Sequence, residues 1–280
     1  MKPTVAIIAQ GAMGAGVARR LHDNGLRVLT SLAGRSGASA ARAAAAGMED
    51  APDSAIAGSD MILSIVPPSD AVALAERLAP ALRAAPRKPL YVDCNAISPR
   101  TVPQVAAPVA AAGCAFVDAG IIGQPPADGY AGPVIYASGP EAGRLAVLRE
   151  RGLDIRVLEG PLHAASALKM SYAGITKGMT AIATAMILAA DEAGAADALR
   201  AELQSSFGPY PWANRQVNGM FGRAYRWVGE MEEIADFTGD NPATRDIYLA
   251  ISHLYQQMAE DVAGTGEAAA RLRAFFGTSK

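Results

Sequence analysis

The sequence predicts an α/β protein in two parts: a doubly wound parallel sheet over residues 1–160, then an all-α second domain over 161–280. Three observations carry that prediction. Short apolar runs alternate with longer alanine-rich helical stretches in the first part, the pattern of consecutive βαβ units. The apolar runs lack polar alternation, as a sheet covered on both faces requires. After Gly160-Pro161 the strand signals stop, and only helical pattern punctuated by Gly and Pro remains.

Strands are expected at Thr4–Ala9, Arg27–Leu32, Met61–Val66, Leu90–Asp93, Ala115–Ile122, Val134–Ser138 and Ile155–Leu158. Helices are expected at Ala12–Asn24, Ser36–Ala46, Ser69–Ala79 and Pro99–Ala111, with Ser98-Pro99 as cap and first-turn proline. A long helix follows from about Leu162 to Ala190, and later breaks fall at Gly194, near Gly208–Pro211, and at Gly219–Gly222, Gly239–Pro242 and Gly264–Gly266.

A formal net charge of −2 gives no basic footprint for nucleic acid or anionic lipid. His22, His163 and His253 are scattered, and Cys94 and Cys114 are too few and too far apart for a zinc site or disulfide framework, so no metal is expected. Free thiols fit a reducing compartment. No signal-peptide pattern precedes the first strand, and the apolar stretch Met179–Ala190 is too short to span a bilayer. These features lead to the expectation of a cytoplasmic protein without membrane or nucleic-acid partners.

The most informative stretch is Val5-Ala6-Ile7-Ile8-Ala9-Gln10-Gly11-Ala12-Met13-Gly14, a strand that meets a glycine turn opening into a helix. Backbone N–H groups and the positive end of the helix suit a nucleotide pyrophosphate there. Against the dinucleotide fingerprint, Ala9 stands at the first glycine position. Gly11 permits close approach of the pyrophosphate, and Gly14 permits close helix–strand packing. Around the end of the second strand no acidic residue occurs from Leu26 to Met48; Arg35 and Ser36 stand there instead. A carboxylate would repel a 2′-phosphate, whereas a guanidinium and a hydroxyl bind one, so the expected cofactor is NADP(H). Val66-Pro67-Pro68 ends a strand and turns the chain across the top of the sheet, along the expected cofactor; Asn95 ends the next strand, within reach of a ribose or substrate hydroxyl.

Together these stretches resemble the β-hydroxyacid dehydrogenase and 6-phosphogluconate dehydrogenase superfamily, colinearly over residues 4–190. Ala9-Gln10-Gly11-Ala12-Met13-Gly14 is similar to the family's Gly-x-Gly-x-Met-Gly, and Gly34-Arg35-Ser36 to its Asn-Arg-Thr. Val66-Pro67 resembles its Leu-Pro, and Asp93-Cys94-Asn95-Ala96-Ile97-Ser98-Pro99 its Asp-x-Ser/Asn-x-Ile-Ser-Pro. Asp118-Ala119-Gly120-Ile121-Ile122-Gly123, through Gly132 and Gly139, is similar to its substrate-loop segment. The resemblance implies a Rossmann-type first domain, a helical second domain that forms a homodimer, and a lysine acting at the nicotinamide. That lysine falls on Lys169. The chain departs from the family at Ala173, where an asparagine is usual, and at Ile122, where a substrate-binding serine is usual.

Independently of the family, Ser166, Lys169, Tyr172, Thr176, Lys177 and Thr180 recur at helical spacing as a polar stripe on an apolar helix, either a solvated face or a site wall. At a site wall, Lys169 acts as general acid/base, taking the alcohol proton in oxidation and returning it in reduction. Lys177 is the candidate cationic neighbour. Glu230 and Glu233 share a helix face with Trp227, and Gln124–Tyr130 forms a Gly/Pro-rich loop over the expected site. Ile122, Gly123, Tyr172, Ala173, Lys177 and Glu233 are the candidate substrate contacts. Three functions fit: hydride exchange at a hydroxyl or carbonyl carbon, imine reduction on the same scaffold, and a non-catalytic NADP(H)-binding module.

Overall fold

A computed structural model describes residues 3–8, 10–127, 129–130 and 132–277. Ala9 of the glycine turn and Asp128 of the Gln124–Tyr130 loop lie outside the described residues. The chain divides into two compact units, Met1–Lys169 and Met170–Lys280.

The first unit is built on eight strands in the order β3-β2-β1-β4-β5-β6-β7-β8. These are β1 (Thr4–Ile8), β2 (Arg27–Thr30), β3 (Met48–Asp50), β4 (Met61–Ser64), β5 (Leu90–Asp93), β6 (Ala115–Ile122), β7 (Val134–Ser138) and β8 (Asp154–Val157). The connecting helices are α1 (Ala12–Asp23), α2 (Gly37–Ala45), α3 (Asp53–Ala57), α4 (Ala71–Ala84) and α5 (Val102–Ala111). Successive β1 side chains enter opposite cores. Val5 and Ile7 pack with Val17, Leu21 and Val28 on one face, while Ala6 and Ile8 pack with Ile62, Leu78 and Tyr91 on the other. Two buried faces explain why the strand sequences are apolar without alternation. Each fully buried Ile or Leu contributes about 1.5–3 kcal/mol of transfer free energy.

Several expectations are corrected. The sheet is not wholly parallel: β7 runs antiparallel to β6, with Ile122 opposite Val134. Among the described residues between them there is no crossover helix of the kind a parallel pairing requires. β3 went unpredicted because Met48-Glu49-Asp50 is an edge strand with only its first residue buried. α4 continues through Pro80 to Ala84, beyond the expected end at Ala79; buried Leu78 and Leu82 hold the last turns to the core. α5 begins at Val102 rather than Pro99, because a turn intervenes in which the Ser98 carbonyl accepts from the Thr101 and Val102 N–H groups. Pro103 then takes the first-turn position. Residues Ala142–Arg151 form a 3-10 helix that the sequence reading missed, with Leu145 and Leu148 buried three apart.

The long helix α6 (Ala164–Glu192) begins in the first unit and continues in the second, where α7 (Ala196–Ser206), α8 (Tyr210–Met220), α9 (Ala224–Phe237), α10 (Pro242–Ala263) and α11 (Glu267–Phe275) complete an all-helical array. α9 and α10 are tied by Trp227 set edge-on against Tyr255, ring centroids 5.1 Å apart. By length and composition α6 is apolar enough to cross a membrane, with a mean hydropathy of 1.4 over its most apolar stretch, contrary to the sequence expectation. Ser166, Thr180 and Thr184 on it are buried.

Candidate active site and cofactor site

The glycine turn sits where β1 ends and α1 begins. Gly11 is the N-cap of α1, and it offers no side-chain cap; the first turn carries no acidic residue. A Cβ placed on Gly11 meets no atom within 4 Å. An uncapped helix N-terminus beside open space fits a pyrophosphate. Gly14 is buried within α1. The loop after β6 returns to this helix: a Cβ on Gly16 would lie 2.8 Å from Pro126 Cδ. Pro126 of the Gln124–Tyr130 loop is thereby seated on α1.

Beside the turn, Gln10 is buried and donates to Thr30 Oγ1 and the Ser31 carbonyl, locking the end of β1 to the end of β2. Arg35 is exposed and follows Gly34, whose φ of +72° favours glycine. Ser36 caps α2 by accepting from the Ser39 N–H. Two residues that sequence reasoning passed over belong here. Arg42 Nε donates to the Gln10 carbonyl at 2.8 Å and its Nη2 to Ser39 Oγ at 3.1 Å, which brings a second guanidinium to this corner. Asp50 lies opposite Thr30 in the β2–β3 register and accepts from the Leu32 N–H at 2.9 Å. The acid absent from β2 thus arrives from β3. A basic residue one turn beyond Ser39 was visible in the sequence; the proximity of Asp50 depended on an unpredicted strand.

At the ends of β4 and β5, Val66 is buried, Pro67 is exposed, and Pro68 starts a short 3-10 turn. Asn95 does not face a ligand as expected. Its Oδ1 accepts from the Val66 N–H at 2.6 Å, and its Nδ2 donates to Ser64 Oγ at 2.8 Å and to Asp93. Both amide hydrogens are engaged and the residue is buried, so Asn95 is a strut that holds the Val66-Pro67 turn.

Lys169 is placed by β6. Asp118 and Gly120 both face the first turns of α6. The Asp118 carboxylate accepts from the Ser166 N–H at 2.8 Å and the Ser166 hydroxyl at 2.6 Å. A Cβ on Gly120 would lie 2.8 Å from the Ala165 carbonyl and 3.0 Å from Lys169 Cβ, so Lys169 rests directly on the strand backbone. Burial is the main cause that raises the Asp118 carboxyl to about 6, opposed by the Ser166 hydrogen bonds. Asp93, its partner across the β5–β6 register, is fully buried with one carboxyl oxygen unpartnered. Burial first, and the Asp118 charge second, push Asp93 well above the usual carboxylate range. Ile122 is half-buried near the end of the strand. Gly123, at φ +133°, has no room for a side chain between Pro133 and the Tyr130 hydroxyl.

The candidate residues of the second unit fall differently. Tyr172 is exposed, whereas Ala173 is buried and its side chain is closed to substrate, which corrects that expectation. Lys177 forms an ion pair with Glu230, the two side chains only 13 % and 17 % exposed. Its ammonium also lies 5.1 Å from the centre of the Trp227 ring. Glu230 neutralises that charge, so Lys177 is not the free cationic neighbour expected for Lys169. Glu233 is half-buried on α9. The polar stripe is not a solvated face: Ser166 and Thr180 are fully buried.

A dinucleotide turn, strand ends converging beside it and a lysine seated on the same sheet define an α/β nucleotide-binding protein of the oxidoreductase type. Residues 4–147 match the family described as the NAD binding domain of 6-phosphogluconate dehydrogenase, and residues 190–258 match a domain of unknown function (DUF1932). The chain belongs to that NAD-binding domain family, within the β-hydroxyacid dehydrogenase-like superfamily of NAD(P)-dependent oxidoreductases. Among solved structures it is similar to the conserved protein MTH1747, described as structurally similar to 3-hydroxyacid dehydrogenases, at 27% identity and TM-score 0.70 over 96% of this chain and 99% of that one. It shares its fold with Mycobacterium tuberculosis 3-hydroxyisobutyrate dehydrogenase with L-serine, at 19% identity and TM-score 0.73 over 98% of this chain and 99% of that one. The V8 variant of an imine reductase from Myxococcus stipitatus, in complex with NAD+, shares it at 20% identity and TM-score 0.54, over 99% of this chain and 100% of that one.

Proposed function

We propose that the protein is a cytoplasmic NADP(H)-dependent dehydrogenase or reductase that interconverts a hydroxyl and a carbonyl on a small substrate, with Lys169 as general acid/base. The observation that carries this reading is the seat of Lys169 on Gly120, at the strand that also holds Asp118. Gly11, Ala12, Met13 and Gly14 would hold the pyrophosphate on the N-terminus of α1; Val66, Pro67 and Pro68 would flank the rest of the cofactor, kept in place by Asn95. Arg35 and Ser36, joined by Arg42, support preference for the 2′-phosphate. When bound, the cofactor supplies or accepts the hydride. Lys169 takes the proton from a substrate hydroxyl, or returns it to the oxygen of a carbonyl being reduced. Ile122 in place of a polar residue favours a substrate less polar than a sugar acid.

Asp50 favours a second cofactor reading. A carboxylate beside the end of β2 suits a free ribose diol, and hence NAD(H).

The second unit is read as a homodimerisation domain. Ile175, Met179, Ile182 and Met186 line one face of α6 and are 63%, 40%, 63% and 58% exposed. Beside them lies an apolar cavity of about 250 Å³ that Leu203, Phe207 and Trp212 also line. An apolar stripe of this length on an isolated chain supports burial against a second copy.

The function is tested with a panel of small β-hydroxyacids, their keto forms and cyclic imines, following NADPH consumption or formation. Wild-type protein is expected to turn over a hydroxyl or carbonyl compound, and Lys169→Ala to lose at least a thousandfold in kcat while binding NADPH as before. Turnover of imines alone would favour the imine-reductase reading. Undiminished kcat in Lys169→Ala would remove Lys169 as acid/base, and no turnover of any class would leave a cofactor-binding module.

A further inference from the structure

We infer that Asp118 is the positioning residue for Lys169: its carboxylate clamps the first turn of α6 and so sets the height and rotation of the lysine over the sheet. The inference deepens the reading of Lys169 as acid/base and rests on it for its functional meaning; the clamp itself is tested without turnover.

The first turn of a helix leaves N–H groups with no partner inside the helix. In α6 two of these are satisfied by side chains of the sheet. The Ala165 N–H donates to Ser138 Oγ at 2.9 Å, and the Ser166 N–H donates to Asp118 Oδ2 at 2.8 Å. Ser138 in turn donates to the Leu162 carbonyl at 2.8 Å, which holds the approach to the helix as well. The second Asp118 oxygen accepts from the Ser166 hydroxyl at 2.6 Å. One carboxylate therefore grips a backbone and a side-chain donor of the same residue. A single hydrogen bond leaves a helix free to turn about it, whereas this two-point grip does not. The charge also faces the positive end of the α6 dipole, where an anion is favoured.

Lys169 lies three residues after Ser166, on the same face and one turn along. Its Cβ sits over Gly120, where even a methyl group would come within 3.0 Å. Clamp and seat lie two residues apart on β6, so their side-chain positions share one face of that strand. Asp118 resists the helix rising from the sheet, and the close approach at Gly120, which leaves no room for a Cβ beside the Ala165 carbonyl, resists its sinking. Residues that buried no more than apolar surface would not need an anion here. Asp118 acts through α6 and touches no reacting atom.

The test reads Lys169 directly. Protein is acetylated with trace acetic anhydride over a range of pH, and the rate at each lysine is measured by peptide mass spectrometry with Lys88 as internal reference. Asp118→Asn keeps the shape but offers one acceptor oxygen where two are needed. It is expected to change the Lys169 rate at least threefold, to speed amide exchange in the first turn of α6, and to leave the Lys88 rate and the NADPH dissociation constant within twofold of wild type. Ser166→Ala should shift Lys169 in the same direction, and Ser166→Thr, which keeps the hydroxyl, should restore it. Gly120→Ala should disturb Lys169 with the clamp intact. Wild-type Lys169 reactivity in folded Asp118→Asn and Ser166→Ala would overturn the inference; if Asp118→Asn does not fold, the Ser166 pair decides alone. Loss of the acid/base reading, seen as turnover surviving in Lys169→Ala, would leave these labelling results unchanged.

Discussion

Burial raises the Asp118 carboxyl to about 6 and pushes that of its neighbour Asp93 well above the usual range, and this has a consequence for stability. The folded state holds the Asp118 proton up to about 6, while the unfolded chain releases it near the ordinary 3.8. The unfolded state therefore binds fewer protons between those values, and this group's contribution to stability falls as pH rises from about 4 to about 6. The Asp118 share of the loss is roughly 3 kcal/mol, to be read by urea denaturation across that range; Asp93, raised as well, adds to the decline, so Asp118→Asn should lessen it without abolishing it. A decline of the same size in Asp118→Asn would assign the pH dependence to other groups. At this scale the sequence was partly legible. Lys169 and the glycine turn were visible as motifs. Asn95 was seen as a polar residue at a strand end, but its inward turn followed from the Val66 N–H that needed an acceptor. Ala173 was chosen for its alignment with a family position, and burial removes it from the surface.

α6 is the element in which sequence and structure differ most in meaning. Its polar spacing was evident, yet Ser166 and Thr180 are buried while Ile175, Ile182 and Met186 are among its exposed residues. Periodicity reports which residues share a face and not which face is covered, because that depends on the chain packed against it. If the exposed face joins two copies, Ile182→Glu should convert a dimer into a monomer by light scattering with helicity unchanged; a wild-type monomer at the same concentration would contradict the proposal. α4 shows a different limit. A proline normally ends a helix, but Leu82 beyond Pro80 is fully buried and keeps the last turns in place.

At the scale of the whole molecule the order of elements carries the account. Strand runs without alternation foretold a sheet with two cores, and the loss of strand signals foretold a helical second part. What the sequence could not convey was adjacency across the sheet. β3 set Asp50 beside the end of β2, and the antiparallel β7 set Ser138 beside the start of α6. On the proposed reading Arg35 and Arg42 favour a 2′-phosphate and Asp50 a free ribose diol, and the cofactor preference is the balance between them. The most direct test is calorimetric titration of the wild type and Arg35→Ala with NADPH and NADH. A charged contact to the 2′-phosphate is worth about 1.5–3 kcal/mol, so the wild type should bind NADPH at least tenfold more tightly than NADH, and Arg35→Ala should lose most of that difference by weakening NADPH alone. Equal loss for both cofactors, or tighter NADH binding in the wild type, would contradict the assignment of NADP(H) and give the corner to Asp50.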